Sequence, residues 1–153
     1  MPKPDMSLSV NVNVTGSIDN NNVLTATATY SQGNSTPASP GVVDSSGDIN
    51  LNQMNDQGNN FSNNTDITFM MSGTITDAHG NSYPAQFPSQ NPVTITGGSG
   101  NNQFTPSLLS STSLLIDDAD ESGQTYQYCL ACEPEMLSAN VPTCPLDPQI
   151  VNR

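Results

Sequence analysis

The stretch that decides the fold is Ser113–Cys132, with the sequence SLLIDDADESGQTYQYCLAC. Its apolar run, Leu114–Ile116, is followed by the acidic, Gly-containing segment 117–123 and then by a second strand-like run, 124–132. Two such runs separated by a short polar loop with Gly at its far end are typical of a β-hairpin. We therefore predict a hairpin whose turn carries the densest negative charge of the chain.

Alternating apolar and polar residues continue on both sides of this stretch. The clearest example is Leu8–Val14, where aliphatic residues alternate with Ser and Asn, and this pattern indicates a half-buried strand. Further strand-like runs are 23–30, 41–43, 48–54, 65–76, 82–87, 93–96, 104–109 and 150–151. The run 31–40 is predicted to be a loop, and Pro84 restricts the run 82–87 to a sheet edge. The spacing predicts an all-β, antiparallel β-sandwich, Ig-like or related, with about eight to ten short strands.

The length and composition predict a single domain. A chain of 153 residues suits one continuous core, although only 33% of its residues are hydrophobic. Small polar residues take the place of charge, as expected for short strands. Pro2 and Pro4 oppose regular structure at the start. We therefore expect a flexible tail at residues 1–6 and a β-sandwich domain at residues 7–153.

The charge balance excludes several kinds of partner. Fourteen acidic residues face two basic residues, Lys3 and Arg153. Nucleic acids and anionic membranes are bound through Lys and Arg, so neither partner is expected. No apolar run approaches the ~20 residues that span a bilayer. The start of the sequence lacks a secretory signal pattern, which indicates a cytoplasmic protein.

The acidic segment 117–123 partly matches a calcium-binding loop. Asp118, Asp120 and Ser122 occupy the first, third and fifth positions of the pattern, with Gly123 at the sixth. Oxygen ligands at alternate positions of a turn can converge on one hard cation such as Ca²⁺.

Two observations limit this match and leave a second interpretation open. The twelfth position is Cys129 rather than Glu, so the segment is not an EF-hand. Asp117 and Glu121 are alternative ligands for the same cation. The other interpretation is an acidic turn that is simply exposed to solvent.

The three cysteines are interpreted as structural thiols. Cys129 and Cys132 have the C-x-x-C spacing, but residues three apart on a strand point to opposite faces. A zinc site would need a fourth ligand, and only the distant His79 is available. A Cys132–Cys144 disulfide is expected in an oxidising compartment, whereas all three thiols stay reduced in the cytoplasm.

Nothing in the chain favours an enzyme. His79 is the only histidine, and it lies in the turn-like run Asp77–Asn81. No G-x-S-x-G motif accompanies it, so no nucleophilic triad is predicted. We therefore assign no catalytic residues and expect no cofactor apart from the calcium alternative.

The C-terminal part of the chain resembles a known family. The runs TSLLIDDADESGQTYQYCLACE, at 112–133, and PLDPQIVNR, at 145–153, are similar to the DP-EP family of small bacterial proteins of unknown function. The chain also resembles, more loosely, the PixA/AidA group of inclusion-body proteins, in the Tyr-Cys-Leu strand and the Asp-Pro ending. The resemblance implies an all-β domain and supplies no catalytic residues.

Two functions follow as expectations. The first is a non-enzymatic protein that works by binding or self-assembly, with unpaired strand edges and a polar surface that favour a homo-oligomer. The alternative is a calcium-dependent binding module, for example for carbohydrate, that uses the acidic hairpin 117–123.

Overall fold

The computed structural model describes residues 2–96, 104–118, 125–136, 141–146 and 149–151. Within these residues the chain forms eleven β-strands and one 3-10 helix, Leu51–Gln53. The strands are β1 (Met6–Ile18), β2 (Leu24–Thr36), β3 (Ile49–Asn50), β4 (Thr65–Thr76), β5 (Ser82–Gln86), β6 (Val93–Thr96), β7 (Phe104–Ser110), β8 (Ser113–Asp118), β9 (Thr125–Pro134), β10 (Cys144–Leu146) and β11 (Gln149–Val151). The all-β prediction, with about ten strands, is confirmed.

The first part of the sheet is built around β1. Its alternate residues Val10, Val12 and Val14 are buried, while the residues between them face solvent. Strand β1 pairs antiparallel with β2 and parallel with β4, and β8 and β7 extend the order to β2–β1–β4–β8–β7. The parallel β1–β4 pairing corrects the prediction of a purely antiparallel arrangement, and the long chain between these strands makes it sterically feasible.

The second part is built around β9. Strands β10 and β11 pair along one side of β9, and β6 and the end of β5 pair along the other. Strand β3 lies beside β11 and pairs with it in parallel, which is the second parallel pairing of the sheet. Strand β5 joins the two parts, because residues 82–84 pair with β4 while Ala85 and Gln86 pair with β9. The result is one mixed sheet that curls into a half-barrel.

The prediction that Pro84 restricts its strand to a sheet edge is wrong. Strand β5 lies between β4 and β9 in the sheet. Its first three residues pair with β4, and its last two pair with β9. Pro84 has no N–H to donate, but its carbonyl oxygen accepts a hydrogen bond of 2.8 Å from the backbone N–H of Glu135. The change of partner at this residue accommodates the missing donor.

The predicted hairpin around the acidic segment is also wrong. Strand β8 pairs with β4 and β7, whereas β9 pairs with β5, β6, β10 and β11. Tight hairpins use loops of about two to five residues, and six residues, 119–124, separate β8 from β9. Leu114 and Ile116 of β8 instead lie opposite Phe69 and Ile67 of β4 on the buried face.

The core lies between these two parts of the sheet. Two aromatic pairs cross it: Phe69 and Tyr128, with ring centroids 5.2 Å apart, and Phe104 and Tyr126, at 4.9 Å. All four side chains are buried. Such pairs add about 0.5–1.5 kcal/mol to the free energy gained from burial. The first pair joins β4 to β9, and the second joins β7 to β9.

Two local predictions need correction. The run 31–40 was predicted to be a loop, but β2 continues to Thr36, partly because the Ser9 hydroxyl accepts a 2.7 Å hydrogen bond from the Asn34 backbone N–H. Within the predicted strand 48–54, only Ile49–Asn50 forms a strand. The Asn50 side chain then caps the 3-10 helix by accepting from the Asn52 backbone N–H.

Candidate functional site

One broad surface of the sheet carries small polar side chains, one exposed methionine (Met70) and no charge. We call it the Ser/Thr/Asn face. It consists of the outward residues of three neighbouring strands: Thr25, Thr27, Thr29 and Ser31 of β2, Asn11, Asn13, Thr15 and Ser17 of β1, and Met70, Ser72, Thr74 and Thr76 of β4. All are exposed except the half-buried Thr76.

The strand register arranges this face in rows. Thr15 lies between Thr27 and Thr74, which are its partners on β2 and β4. The next row places Asn13 between Thr29 and Ser72. Neighbouring strands lie about 4.8 Å apart and successive outward residues about 6.6 Å apart, so the rows form a regular array. Hydroxyl and amide groups therefore repeat across the surface at fixed spacing.

Acidic residues lie at both ends of this face rather than within it. At one end, Asp66 of β4 pairs with Asp117 of β8 on the outward side. The pKa of Asp66 is raised because its carboxyl group is partly buried and because Asp117 and Asp5 lie close to it. At the other end are turns that begin at Asp19 and Asp77. Among the described residues, the carboxylates therefore lie away from the centre of the face.

Three turns of the chain share one Asp-centred geometry. They are Asp19–Val23, Asp44–Asp48 and Asp77–Asn81. In each, one carboxylate oxygen of the first residue accepts from the backbone N–H groups of the third and fifth residues, at 2.8–3.0 Å. The fourth residue, Asn22, Gly47 or Gly80, has positive φ. This arrangement is typical of a three-residue hairpin loop with a left-handed last position.

A shallow cavity of about 220 Å³ lies between two of these turns. Asp19, Asp77, His79 and Met136 are among its lining residues. The Asp77 carboxylate accepts hydrogen bonds from the backbone N–H groups of Asn81 and His79, and these bonds lower its pKa. The Asp77 carboxylate therefore stabilises the backbone of its own turn, including the backbone N–H of His79, the only histidine in the sequence. The geometry shows a structural use for the Asp77 side chain.

The predicted metal ligands are only partly within the described residues. Asp117 is exposed on β8, whereas Asp118, the next residue, is fully buried on the opposite face of the strand. Asp120, Glu121 and Ser122 lie outside the described residues. In the part of the chain that the structure describes, no group of three His, Cys, Asp or Glu residues is arranged to hold a metal ion.

The three cysteines lie on two neighbouring strands, with Cys129 and Cys132 on opposite faces of β9 and Cys144 on β10. Cys132 is buried and lies directly opposite the half-buried Cys144 of β10. Burial, followed by the neighbouring Cys144, raises the pKa of the Cys132 thiol to about 12. Cys129 is half-buried and opposes Thr94 of β6. The opposite orientation of Cys129 and Cys132 agrees with the strand interpretation of the C-x-x-C spacing.

A buried tyrosine connects the second Asp-centred turn to the core. The Tyr128 hydroxyl donates a hydrogen bond to the carbonyl oxygen of the buried Gly47. Burial raises the pKa of Tyr128, and the nearby Tyr30, Asp48 and Asp44 raise it further. The Tyr30 ring lies against Gly47, where a Cβ atom would come within 2.8 Å of it. The turn is thus held between two tyrosines.

The Ser/Thr/Asn face was not singled out by sequence reasoning, although its signal was present. Outward residues of the run Leu8–Val14 are Ser and Asn, and the run Thr25–Thr29 reads Thr-Ala-Thr-Ala-Thr. Each run alone indicates only a half-buried strand. The parallel pairing of β1 with β4 brings a third polar run beside them, and sequence order does not reveal this pairing.

Comparisons with known proteins give likenesses to solved structures. No protein-family model and no curated protein matches the chain. The crystal structure of the inclusion body protein PixA from Burkholderia cenocepacia is similar over 100% of this chain and 98% of that chain. The two have 12% sequence identity and a TM-score of 0.39. In the described part of this chain, no helix is long and apolar enough to cross a membrane.

Proposed function

We propose that the protein is not an enzyme and acts by self-assembly, with two copies packing through their Ser/Thr/Asn faces. One observation carries this proposal: a twelve-residue face of three adjacent strands has no charged side chain in a chain of net charge −12. Two copies of so acidic a chain repel each other least where their carboxylates are farthest apart. The centre of this face is such a place.

The chemistry of the face suits contact with a second copy. Stacked sheets pack about 10 Å apart, a distance that small side chains such as Ser and Thr can fill from both sides. Thr methyl groups supply apolar contact, while hydroxyl and amide groups supply donors and acceptors for hydrogen bonds. A two-fold arrangement would place the same surface on both subunits.

The size of the face predicts weak association. Stable interfaces of standard size use about 20–30 residues on each side, and the face supplies twelve. Repulsion between two chains of charge −12 weakens the contact further and is screened by salt. The expected complex therefore forms at high protein concentration and strengthens as sodium chloride is added.

The free edge of β7 is a weaker candidate for assembly. Within the described residues β7 pairs with β8 alone, and it exposes Leu109 at 58%. However, Pro106 lies within the strand and cannot donate a backbone hydrogen bond, so it disfavours pairing of this edge with another strand. Assembly by the face does not require this edge.

A charge substitution at the centre of the face tests the proposal. Thr15→Glu places a carboxylate between Thr27 and Thr74. When two copies pack through this face, the new carboxylate of one copy would lie close to that of the other and repel it. The matched control is Thr125→Glu, which adds the same charge at an exposed position of β9. Sedimentation velocity at high concentration should show that Thr15→Glu abolishes the dimer and Thr125→Glu preserves most of it. Equal behaviour of the two variants would reject the face as the interface.

The calcium-dependent binding module remains the second proposal. It is supported by Asp66 and Asp117, which oppose each other on neighbouring strands with Asp5 close by, so that a cation would relieve their repulsion. Three further proposals are consistent with either function. They are the DP-EP likeness of the C-terminal part, a bacterial and cytoplasmic origin, and a more specific, Ig-like classification of the fold.

A further inference from the structure

We propose that Cys132 and Cys144 form a thiol–disulfide exchange site that reacts with small-molecule disulfides and closes into a reversible intramolecular disulfide. The site is separate from the Ser/Thr/Asn face and does not depend on the proposed self-assembly. Both thiols are free in the structure.

The register of β9 and β10 brings the two cysteines together. Cys132 lies directly opposite Cys144, and their neighbours Leu130 and Leu146 form the next pair on the same buried face. Directly opposed residues of antiparallel strands have Cα atoms about 4.5 or 5.5 Å apart. Both values lie within the range of about 4.4–6.8 Å that disulfides span. No change of register is needed to form the bond.

The backbone hydrogen bonds show which kind of pair this is. The N–H of Ala131 donates to the carbonyl of Pro92, so it points away from β10, and its partner Pro145 has no N–H. The Ala131–Pro145 pair is therefore not hydrogen-bonded, and the alternation of antiparallel ladders makes Cys132–Cys144 a hydrogen-bonded pair. Directly opposed Cβ atoms lie about 4.5–5.5 Å apart, whereas disulfides favour about 3.5–4.5 Å. Closing the bond strains the strands and makes the disulfide easy to reduce.

Exposure assigns the two thiols different roles. Cys144 is half-buried at the start of a three-residue strand, whereas Cys132 is fully buried. The Cys144 thiolate attacks a disulfide R–S–S–R, forms a mixed disulfide and releases one R–S⁻, which takes up a proton. The Cys132 thiolate then attacks the Cys144 sulfur and releases the second R–S⁻. Two protein thiols are oxidised, and one R–S–S–R is reduced to two R–SH.

The second step should be the slower one. Burial raises the pKa of the Cys132 thiol to about 12, so little thiolate is present at neutral pH. The mixed disulfide on Cys144 therefore accumulates before the intramolecular bond forms. Cys129 is not a competing partner for Cys132, because it lies on the other face of β9.

The test uses oxidised glutathione and the Cys129→Ser protein, in which only the two proposed thiols remain. Intact mass spectrometry should show a transient adduct of one glutathione, followed by a species that has lost two hydrogen atoms and no longer carries glutathione. Peptide mapping should place the bond between Cys132 and Cys144. Dithiothreitol should restore the reduced mass.

Two further variants separate the roles. In the same background, Cys132→Ser should stop at the glutathione adduct, and Cys144→Ser should react at least ten-fold more slowly. The oxidised protein should melt about 5 °C higher, because the bond closes a short loop in the unfolded chain. A stable adduct in the Cys129→Ser protein that never loses two hydrogens would overturn the proposal. That result is decisive even if Cys132→Ser does not fold.

Discussion

Removing one buried hydroxyl group tests how the Asp44–Asp48 turn is attached to the core. Tyr128→Phe deletes the hydrogen bond to the Gly47 carbonyl and leaves the ring, with its contact to Phe69 at 5.2 Å, in place. The Gly47 carbonyl then stays buried without this donor. Leaving a buried acceptor unsatisfied costs about 1–3 kcal/mol. For a chain of this size, each kcal/mol lowers the melting temperature by about 2–4 °C, so a decrease of about 2–12 °C is expected.

The same variant changes how stability depends on alkaline pH. An unfolded tyrosine loses its proton at pH about 10, whereas burial keeps the pKa of folded Tyr128 well above that value. The contribution of Tyr128 to stability is therefore complete below pH 10 and decreases as the pH rises further, by about 1.4 kcal/mol per pH unit. Tyr128→Phe removes this decrease, so its loss of stability between pH 10 and 11 should be smaller than that of the natural protein.

Urea unfolding at pH 7, 10 and 11, followed by circular dichroism, measures both effects. Tyr83→Phe is the matched control, because its hydroxyl donates to the Asp77 carboxylate at the surface rather than in the core. We expect this control to lower the stability much less than Tyr128→Phe does, because water can replace a hydrogen bond at the surface. The reasoning is refuted if Tyr128→Phe is as stable as the natural protein at pH 7 and has the same alkaline slope.

Three further changes have defined outcomes. Gly73→Ala should lower the melting temperature markedly, since Gly73 has φ +103° and a Cβ atom there would lie 1.9 Å from the Val14 carbonyl oxygen; Gly80→Ala has a similar positive φ, +85°, but open space around its Cβ, so it is the thermal-melting control that isolates the clash and should lower the melting temperature less. Asp66→Asn should raise the melting temperature at pH 7 by about 1–2 °C. This gain should vanish below pH 3.8, because the raised pKa of Asp66 means that its ionised form opposes folding. The calcium alternative predicts that millimolar calcium raises the melting temperature beyond a sodium chloride control, and that Asn at both Asp66 and Asp117, the pair that supports this alternative, removes the increase.

Local periodicity was sufficient to predict the class of fold and most of its strands. The alternation in Leu8–Val14 corresponds to β1, and the short runs 93–96 and 104–109 correspond to β6 and β7. Such patterns report which face of a strand is buried, and burial is a local consequence of side-chain polarity. They do not report which strand lies alongside.

Strand pairing was where the sequence interpretation failed. The run Ser113–Cys132 has the local pattern of a hairpin, yet β8 and β9 lie in different parts of the sheet. The competing interactions are long-range: Leu114 and Ile116 are buried against β4, and Tyr128 is buried against Phe69 and Gly47. The buried area of such contacts outweighs the local preference for a hairpin.

The candidate site was predictable only in part for the same reason. The acidic and cysteine residues are conspicuous in sequence, and the opposition of Cys132 and Cys144 agrees with the disulfide pairing that was considered for them. The Ser/Thr/Asn face consists of residues that are individually unremarkable. It exists because β1 pairs with both β2 and β4.

The most direct test of self-assembly is the mass of the natural protein in solution as a function of concentration. Multi-angle light scattering from about 10 μM to about 1 mM should show the weight-average mass rising from that of one chain, 16.1 kDa, towards twice that value. The increase should be larger in moderate salt than in low salt and should not change with a calcium chelator. A constant mass of one chain at about 1 mM in moderate salt would contradict the account.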